Sequence, residues 1–211
     1  MPKKPTKEKK IKVIIFDNNG VLTTNDSEDG YNKVAEFLEV ETHVLKPVWS
    51  GELAQALDEG KITCDDFLKN VMSMVGAEKD LDDFRSFYLG RYVQKHEVRD
   101  FAKRIGNDFE IALLTNFGDG FHEFNKRWKL EEIFEEDKIF LSCDMKMRKP
   151  NDDIFLSALE SLGRKPEEAV FIDDNHDNID TAGRLGMATI LFESLEQVEK
   201  DLQNILQYDY A

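Results

Sequence analysis

Cysteine is scarce in this sequence: Cys64 and Cys143 are the two among 211 residues, far apart and without metal-ligand spacing. That argues against a disulfide framework and for a reducing, cytoplasmic setting, with both thiols acting as small semi-buried hydrophobes. Long apolar runs are missing as well. None approaches the roughly 20 residues needed to span a bilayer, so no membrane role is expected. Positive charge is the third shortage. With 28 basic and 43 acidic residues the net charge is −15, which argues against binding nucleic acid or anionic membranes, since both require a positive field. An acidic protein that handles anionic substrates must concentrate positive charge locally, through a lysine, a metal ion or helix N-termini. The first ten residues, Met1 to Lys10, are basic and polar and carry no apolar stretch. They do not read as a secretory signal, and residues 1–10 are expected to be a disordered lead-in.

What is present is a repeated local pattern. Ile11-Lys12-Val13-Ile14-Ile15-Phe16 is a short apolar, β-branched run that stops at Asp17 and a polar turn, Asn18-Asn19-Gly20. It reads as a buried strand delivering a carboxylate at its C-terminal end. Phe109 to Leu114 ends in the same way at Thr115-Asn116, Lys138 to Leu141 at Ser142, and Ala169 to Ile172 at Asp173-Asp174. A fifth run, Ala188 to Phe192, follows.

Amphipathic segments separate these runs. Phe121, Phe124 and Trp128 share one helical face, as core residues rather than a base-stacking platform. Ile154, Phe155, Ala158, Leu159 and Leu162 share another, and Leu195, Val198, Leu202 and Ile205 a third. Strands alternating with helices imply an α/β fold, a Rossmann-like parallel sheet covered by helices on both faces. Ligands of such sheets bind beyond the carboxyl ends of the strands, where every polar residue just named sits. The alternation breaks between about Asp29 and Gln94, a stretch with helical patterns but no comparable strand, and with Thr63 and Asp66 as a helix start. The expected organisation is therefore an α/β core from residues 11–23 and 96–211, with a small all-helical cap, residues 24–95, inserted after the first strand. Trp49 lies in that cap and suits either its core or a substrate cleft.

Four clusters, in this order, resemble the haloacid dehalogenase-like (HAD) hydrolase superfamily. They are Ile15-Phe16-Asp17-Asn18-Asn19-Gly20-Val21-Leu22, Leu113-Leu114-Thr115-Asn116, Met147-Arg148-Lys149-Pro150 and Phe171-Ile172-Asp173-Asp174-Asn175-His176-Asp177-Asn178. Each alone is weak; all four in order cover nearly the whole chain after residue 10. Leu141 to Ile154 and Phe171 to Leu191 are similar to a bacterial branch of sugar-phosphate phosphatases and to the phosphatase domain of mammalian soluble epoxide hydrolase.

The resemblance implies a Mg²⁺-dependent phosphatase acting on a small phosphorylated metabolite. Asp17 would attack phosphorus to give an aspartyl-phosphate that water hydrolyses. The Mg²⁺ ligands would be Asp17, Asp174 and the backbone carbonyl of Asn19, with Asp173 in or near the first coordination sphere. Thr115 hydroxyl and Asn116 N–H would hold phosphoryl oxygens, Lys149 would neutralise charge, and Asn178 would orient Lys149 or the acidic pair. The sequence assigns no oligomeric state.

One position departs from the pattern. Most phosphatases of the superfamily carry Asp two residues after the nucleophile, to protonate the leaving oxygen and later activate water. Here that residue is Asn19, which donates hydrogen bonds but transfers no proton at neutral pH. Losing a general acid–base removes a factor of about 10² to 10⁴ in rate. Several readings follow: a phosphatase of esters with good leaving groups, such as sugar 1-phosphates; substitution by His176 or a cap residue; or a weak or inactive relative, natural or engineered, that binds phospholigands or a partner. His176 and Asp177 also suit a plain helix start. A dehalogenase fits less well, because the Asp173-Asp174 pair suits a cation that dehalogenation does not need.

Overall fold

The computed structural model describes residues 11–24 and 28–206; the expected lead-in, residues 1–10, lies outside them. The five apolar runs become β1 (Val13–Phe16), β2 (Glu110–Thr115), β3 (Ile139–Leu141), β4 (Ala169–Asp173) and β5 (Ala188–Leu191). They form one parallel sheet in the order β3-β2-β1-β4-β5. The sheet is central because β1 is apolar at every position and is at most 1% exposed.

Side chains alternate across a strand, so a run that is apolar throughout must be covered on both faces. Val13 and Ile15 join Ala112, Leu114 and Phe171 in one cluster, closed by Ile154 and Phe155 of α9 (Asp152–Ser161) and Ala182 of α10 (His176–Leu185). Ile14 and Phe16 join Leu113 and Ile172 in the other, closed by Phe101 of α6 (His96–Ile105) and Val198 of α11 (Leu195–Leu206). Each Val, Leu, Ile or Phe among them contributes roughly 1.5–3 kcal/mol by leaving water. Phe121, Phe124 and Trp128 of α7 (Phe121–Trp128) are buried in the second cluster, and Phe124 stacks on Trp128 at 4.7 Å. The short helix α8 (Ser142–Met145) follows β3.

Between β1 and α6 the described residues form α1 (Glu28–Leu38), α2 (Thr42–Trp49), α3 (Glu52–Asp58), α4 (Cys64–Val75) and α5 (Leu81–Gly90). α4 starts where Thr63 and Asp66 indicate: Thr63 Oγ1 accepts from the Asp66 N–H at 3.1 Å, and Asp66 Oδ2 accepts from the Thr63 N–H at 3.5 Å. α2 has no clean helical pattern in the sequence, because Pro47 lies inside it and removes a backbone donor. Tertiary burial of Leu45 and Trp49 holds it in place.

These helices share an aromatic core. Phe37 stacks on Phe87 at 4.4 Å, and Trp49 meets Phe67 and Tyr88 edge-on at 5.2 and 5.6 Å. They are also seated on the sheet side of the molecule. The Cys64 N–H donates to Asp119 Oδ1 at 2.6 Å, and Arg85 Nε donates to Glu123 at 3.0 Å. Leu57 packs so close to Gly118 that a β-carbon there would lie 2.3 Å from Leu57 Cδ1.

Candidate active site

Strand register brings the separate polar clusters to one edge. Phe16 is level with both Leu113 and Ile172, so Asp17, one residue on, lies beside Leu114 and Asp173. The Asp17 N–H donates to Ile172 O at 2.9 Å, which holds it to β4. The chain then turns back: Asn18 O accepts from the N–H groups of Leu22 and Thr23, each at 2.9 Å. Gly20 occupies φ +90°, a conformation natural to glycine, and a β-carbon there would lie 2.1 Å from Asp174 Oδ2. Glycine is required here for two reasons: the turn, and the carboxylate lying against it.

Three carboxylates meet beyond the strand ends. Asp17, Asp173 and Asp174 each offer an oxygen within 4.8 Å of the others. Lys149 stands among them, its Nζ 2.8 Å from Asp17 Oδ1 and 2.7 Å from Asp173 Oδ2. Lys149 is 2% exposed, Asp17 6% and Asp173 0%, so solvent screens these charges little. Burial alone would lower the Lys149 pKa, but Asp17 and Asp173 outweigh it and raise it, so the ammonium is secure. Burial raises the Asp17 pKa, helped by the like charges of Asp173 and Asp174 and opposed by Lys149. Lys95 reaches the edge of the cluster: its Nζ donates to Gly20 O at 2.5 Å, and its pKa is lowered by burial against the pull of Asp174. The excess of hard anionic oxygens fits a divalent cation such as Mg²⁺, which neutralises what the lysines do not.

The remaining polar positions fall around this cluster. Asn178 Nδ2 donates to Asp173 Oδ2 at 2.9 Å, and the Asn175 N–H donates to Asp173 Oδ1 at 2.8 Å. Asp173 is thereby fixed on both oxygens. Asn116 clamps Lys149 through its side chain: Oδ1 accepts from Lys149 N–H, and Nδ2 donates to Lys149 O, both at 2.9 Å. Thr115 Oγ1 is fully buried and has no hydrogen-bond partner among the described residues. A buried hydroxyl without a partner is costly unless a ligand serves it. Asn19 Oδ1 accepts from Asn18 Nδ2 at 3.0 Å and from Thr23 Oγ1 at 3.4 Å.

A cavity of about 340 Å³ opens beside these residues. Asn19, Asn116 and Asn175 line it from the sheet side; Tyr31, Trp49 and Asp58 line it from the helices after β1. Trp49, 5% exposed, thus belongs both to the helical core and to the cavity wall. His176 is exposed at the start of α10 and does not line the cavity; Asn175 caps that helix, its Oδ1 accepting from the Asp177 N–H at 2.8 Å. Lys95 and Asp58 escaped the sequence reading because they lie far along the chain from Asp17 and sit in no strand-end pattern. Arg148, also in the cavity wall, was visible only as the neighbour of Lys149.

A parallel sheet whose carboxyl edge gathers three carboxylates, a buried lysine and an unpartnered hydroxyl defines an α/β enzyme built to hold an anion with a cation. The chain belongs to the haloacid dehalogenase-like hydrolases, whose family model matches residues 11–186. It is 25% identical over 209 residues to D-ribitol-5-phosphate phosphatase of Bacteroides thetaiotaomicron, covering 93% of this chain and 98% of that one. The structure of a predicted HAD-like family hydrolase from Porphyromonas gingivalis superposes with a TM-score of 0.78 at 26% identity, covering 94% of this chain and 99% of that one. A HAD family enzyme from Bacteroides thetaiotaomicron, crystallised as a magnesium complex, shares the fold with a TM-score of 0.78 at 24% identity, covering 92% of this chain and 100% of the other.

Proposed function

We propose that this hydrolase is a Mg²⁺-dependent phosphatase of a small phosphorylated metabolite, with Asp17 as its nucleophile. The observation that carries the reading is the unbalanced charge at the sheet edge. Three carboxylates within 4.8 Å of one another, two of them paired with one buried ammonium, accompany a buried hydroxyl that has no partner among the described residues. A cation and a phosphoryl group together complete that arrangement. The match to a ribitol-phosphate phosphatase along nearly its whole length supports the same substrate class.

In this reading Asp17 attacks phosphorus in line, the bond from phosphorus to the ester oxygen breaks, and water then hydrolyses the aspartyl-phosphate. Lys149 holds the Asp17 carboxylate in place and offsets charge on the transferring group. Asn116 keeps Lys149 there by its side-chain clamp, while its N–H and the Thr115 hydroxyl receive phosphoryl oxygens. Asn178 and the Asn175 N–H hold Asp173 for the lysine. Asp17, Asp174 and the Asn19 carbonyl, with Asp173 beside them, would hold a Mg²⁺ ion, which when bound would supply the remaining charge neutralisation. Residues 24–95 act as a cap whose helices close the cavity, exclude water and select the leaving group.

A panel of phosphate esters assayed with Mg²⁺, for the wild type, Asp17→Ala and Asn19→Asp, tests this reading. Turnover that disappears in Asp17→Ala is expected. Wild-type protein matching Asp17→Ala on every ester, sugar 1-phosphates included, would leave a phospholigand-binding protein instead. A gain in Asn19→Asp alone would identify a disabled phosphatase.

A further inference from the structure

We propose that Asp58, at the end of α3, is the proton-transfer group that position 19 lacks: it lines the same cavity as Asn19 and Asn116 and is the one carboxyl among the described residues that does so. This rests on the phosphatase reading above and adds a residue to it. Asn19 cannot fill the role, and its side-chain oxygen is already engaged by Asn18 and Thr23. His176 is exposed and does not line the cavity. The cavity also holds tyrosines, but a phenol, with an ordinary pKa near 10, is a much weaker proton donor to a departing oxygen than a carboxyl is.

Asp58 is held in position from several sides. Arg148 Nε lies 3.5 Å from its Oδ2, and Arg148 directly precedes Lys149, so the cap carboxyl is tied to the loop that carries the catalytic lysine. Leu57, the residue before it, is packed on Gly118, and Lys146 Nζ donates to Gly60 O at 3.1 Å, pinning the turn that follows. The charges around the carboxyl are those of Arg148 and Lys149, which favour its ionised form, and of Glu59, which opposes it. Burial outweighs all of them and raises its pKa to about 6. A carboxyl so tuned exchanges protons near neutrality, as a general acid–base must.

The step then balances. The Asp17 carboxylate forms a bond to phosphorus as the bond to the ester oxygen breaks, and the departing oxygen takes the proton of the Asp58 carboxyl and leaves as an alcohol. Water next attacks the aspartyl-phosphate, giving its proton to the Asp58 carboxylate and its oxygen to phosphorus. The bond between phosphorus and Asp17 breaks, inorganic phosphate departs, and both carboxyl groups return to their starting states.

The test compares kcat/KM for benzyl phosphate and 4-nitrophenyl phosphate with Mg²⁺, in the wild type and Asp58→Asn. The two esters are alike in shape, but the benzyl oxygen needs a proton to leave and nitrophenolate does not. Asp58→Asn is expected to lose about 10² or more on benzyl phosphate, and at least tenfold less on 4-nitrophenyl phosphate. Adding Asn19→Asp to Asp58→Asn is expected to restore part of the benzyl activity. Equal losses on both esters would show that Asp58 and Arg148 merely clamp the helices to the core, and would overturn the proposal while leaving the phosphatase reading intact. A wild type inactive on both esters and on the wider panel would remove both. Should Asp58→Asn not fold, the wild-type pH profiles decide. A fall in kcat/KM above about pH 6 for the benzyl ester alone supports the role, and superimposable profiles refute it.

Discussion

Replacing Asp17 by Asn in metal-free protein should raise the melting temperature at pH 8 and leave it unchanged at pH 4. Asn imitates the protonated carboxyl permanently, so the comparison isolates the free energy of ionising Asp17 in place. Its pKa stands at about 7 in the fold against 3.8 in the unfolded chain, because burial and the charges of Asp173 and Asp174 outweigh the attraction of Lys149. With a raised folded pKa, the favourable contribution is whole below 3.8 and is lost as pH rises through about 7. At about 1.4 kcal/mol per unit, the metal-free wild type gives up at most about 4 kcal/mol across that interval. For a chain of this length, that corresponds to a difference of the order of 10 °C. Thermal melts in EDTA at pH 4 and pH 8 measure it. Mg²⁺ at a hundred times its Kd should return about 2.7 kcal/mol to the wild type and much less to Asp17→Asn. A variant-minus-wild-type difference that is the same at both pH values would refute the account of the site as a charge excess awaiting a cation.

Three further outcomes follow from the geometry. Gly20→Ala forces both a positive φ and a clash with the Asp174 carboxylate, so it should abolish Mg²⁺-induced thermal stabilisation and lower the melting temperature by a margin visible in the same assay. Thr115→Val deletes a buried hydroxyl that has no partner among the described residues, so stability should hold or rise by up to about 1 kcal/mol, while phosphatase kcat/KM falls about 10²; a loss of stability instead would mean the hydroxyl has a structural bond. Thr63→Ala removes the cap of α4 and should destabilise the protein by about 1 kcal/mol in denaturant titration, with Asp66→Ala showing a similar loss and the double variant little more.

The sequence alone determined the five strands and the polar residues at their ends. A run such as Val13 to Phe16, apolar at every position and followed by Asp17 and a polar turn, can be satisfied only by a strand covered on both sides, with its carboxylate at the rim. That logic is local, and so Asp17, Thr115, Asp173 and Asp174 could be placed at strand ends without coordinates, whereas Lys149 was marked only by the resemblance of the four motifs to HAD hydrolases. The departure at Asn19 was equally legible, since it is a matter of which residue stands two places after Asp17. α2 was not, because Pro47 breaks its pattern and only the burial of Leu45 and Trp49 sustains it.

What the tertiary structure decided is everything that depends on distance across the fold. Lys149 lies between Asp17 and Asp173 because parallel register aligns β1 with β4, and because the Asn116 side chain grips the lysine backbone across 33 residues. Lys95 reaches Gly20 from 75 residues away, and Asp58 meets Arg148 from a different layer. No local pattern marks such residues, since an aspartate at a helix end is by default a solvated one. Packing decides that Asp58 lines the cavity and burial decides that its pKa rises to about 6, and both are properties of the assembled molecule.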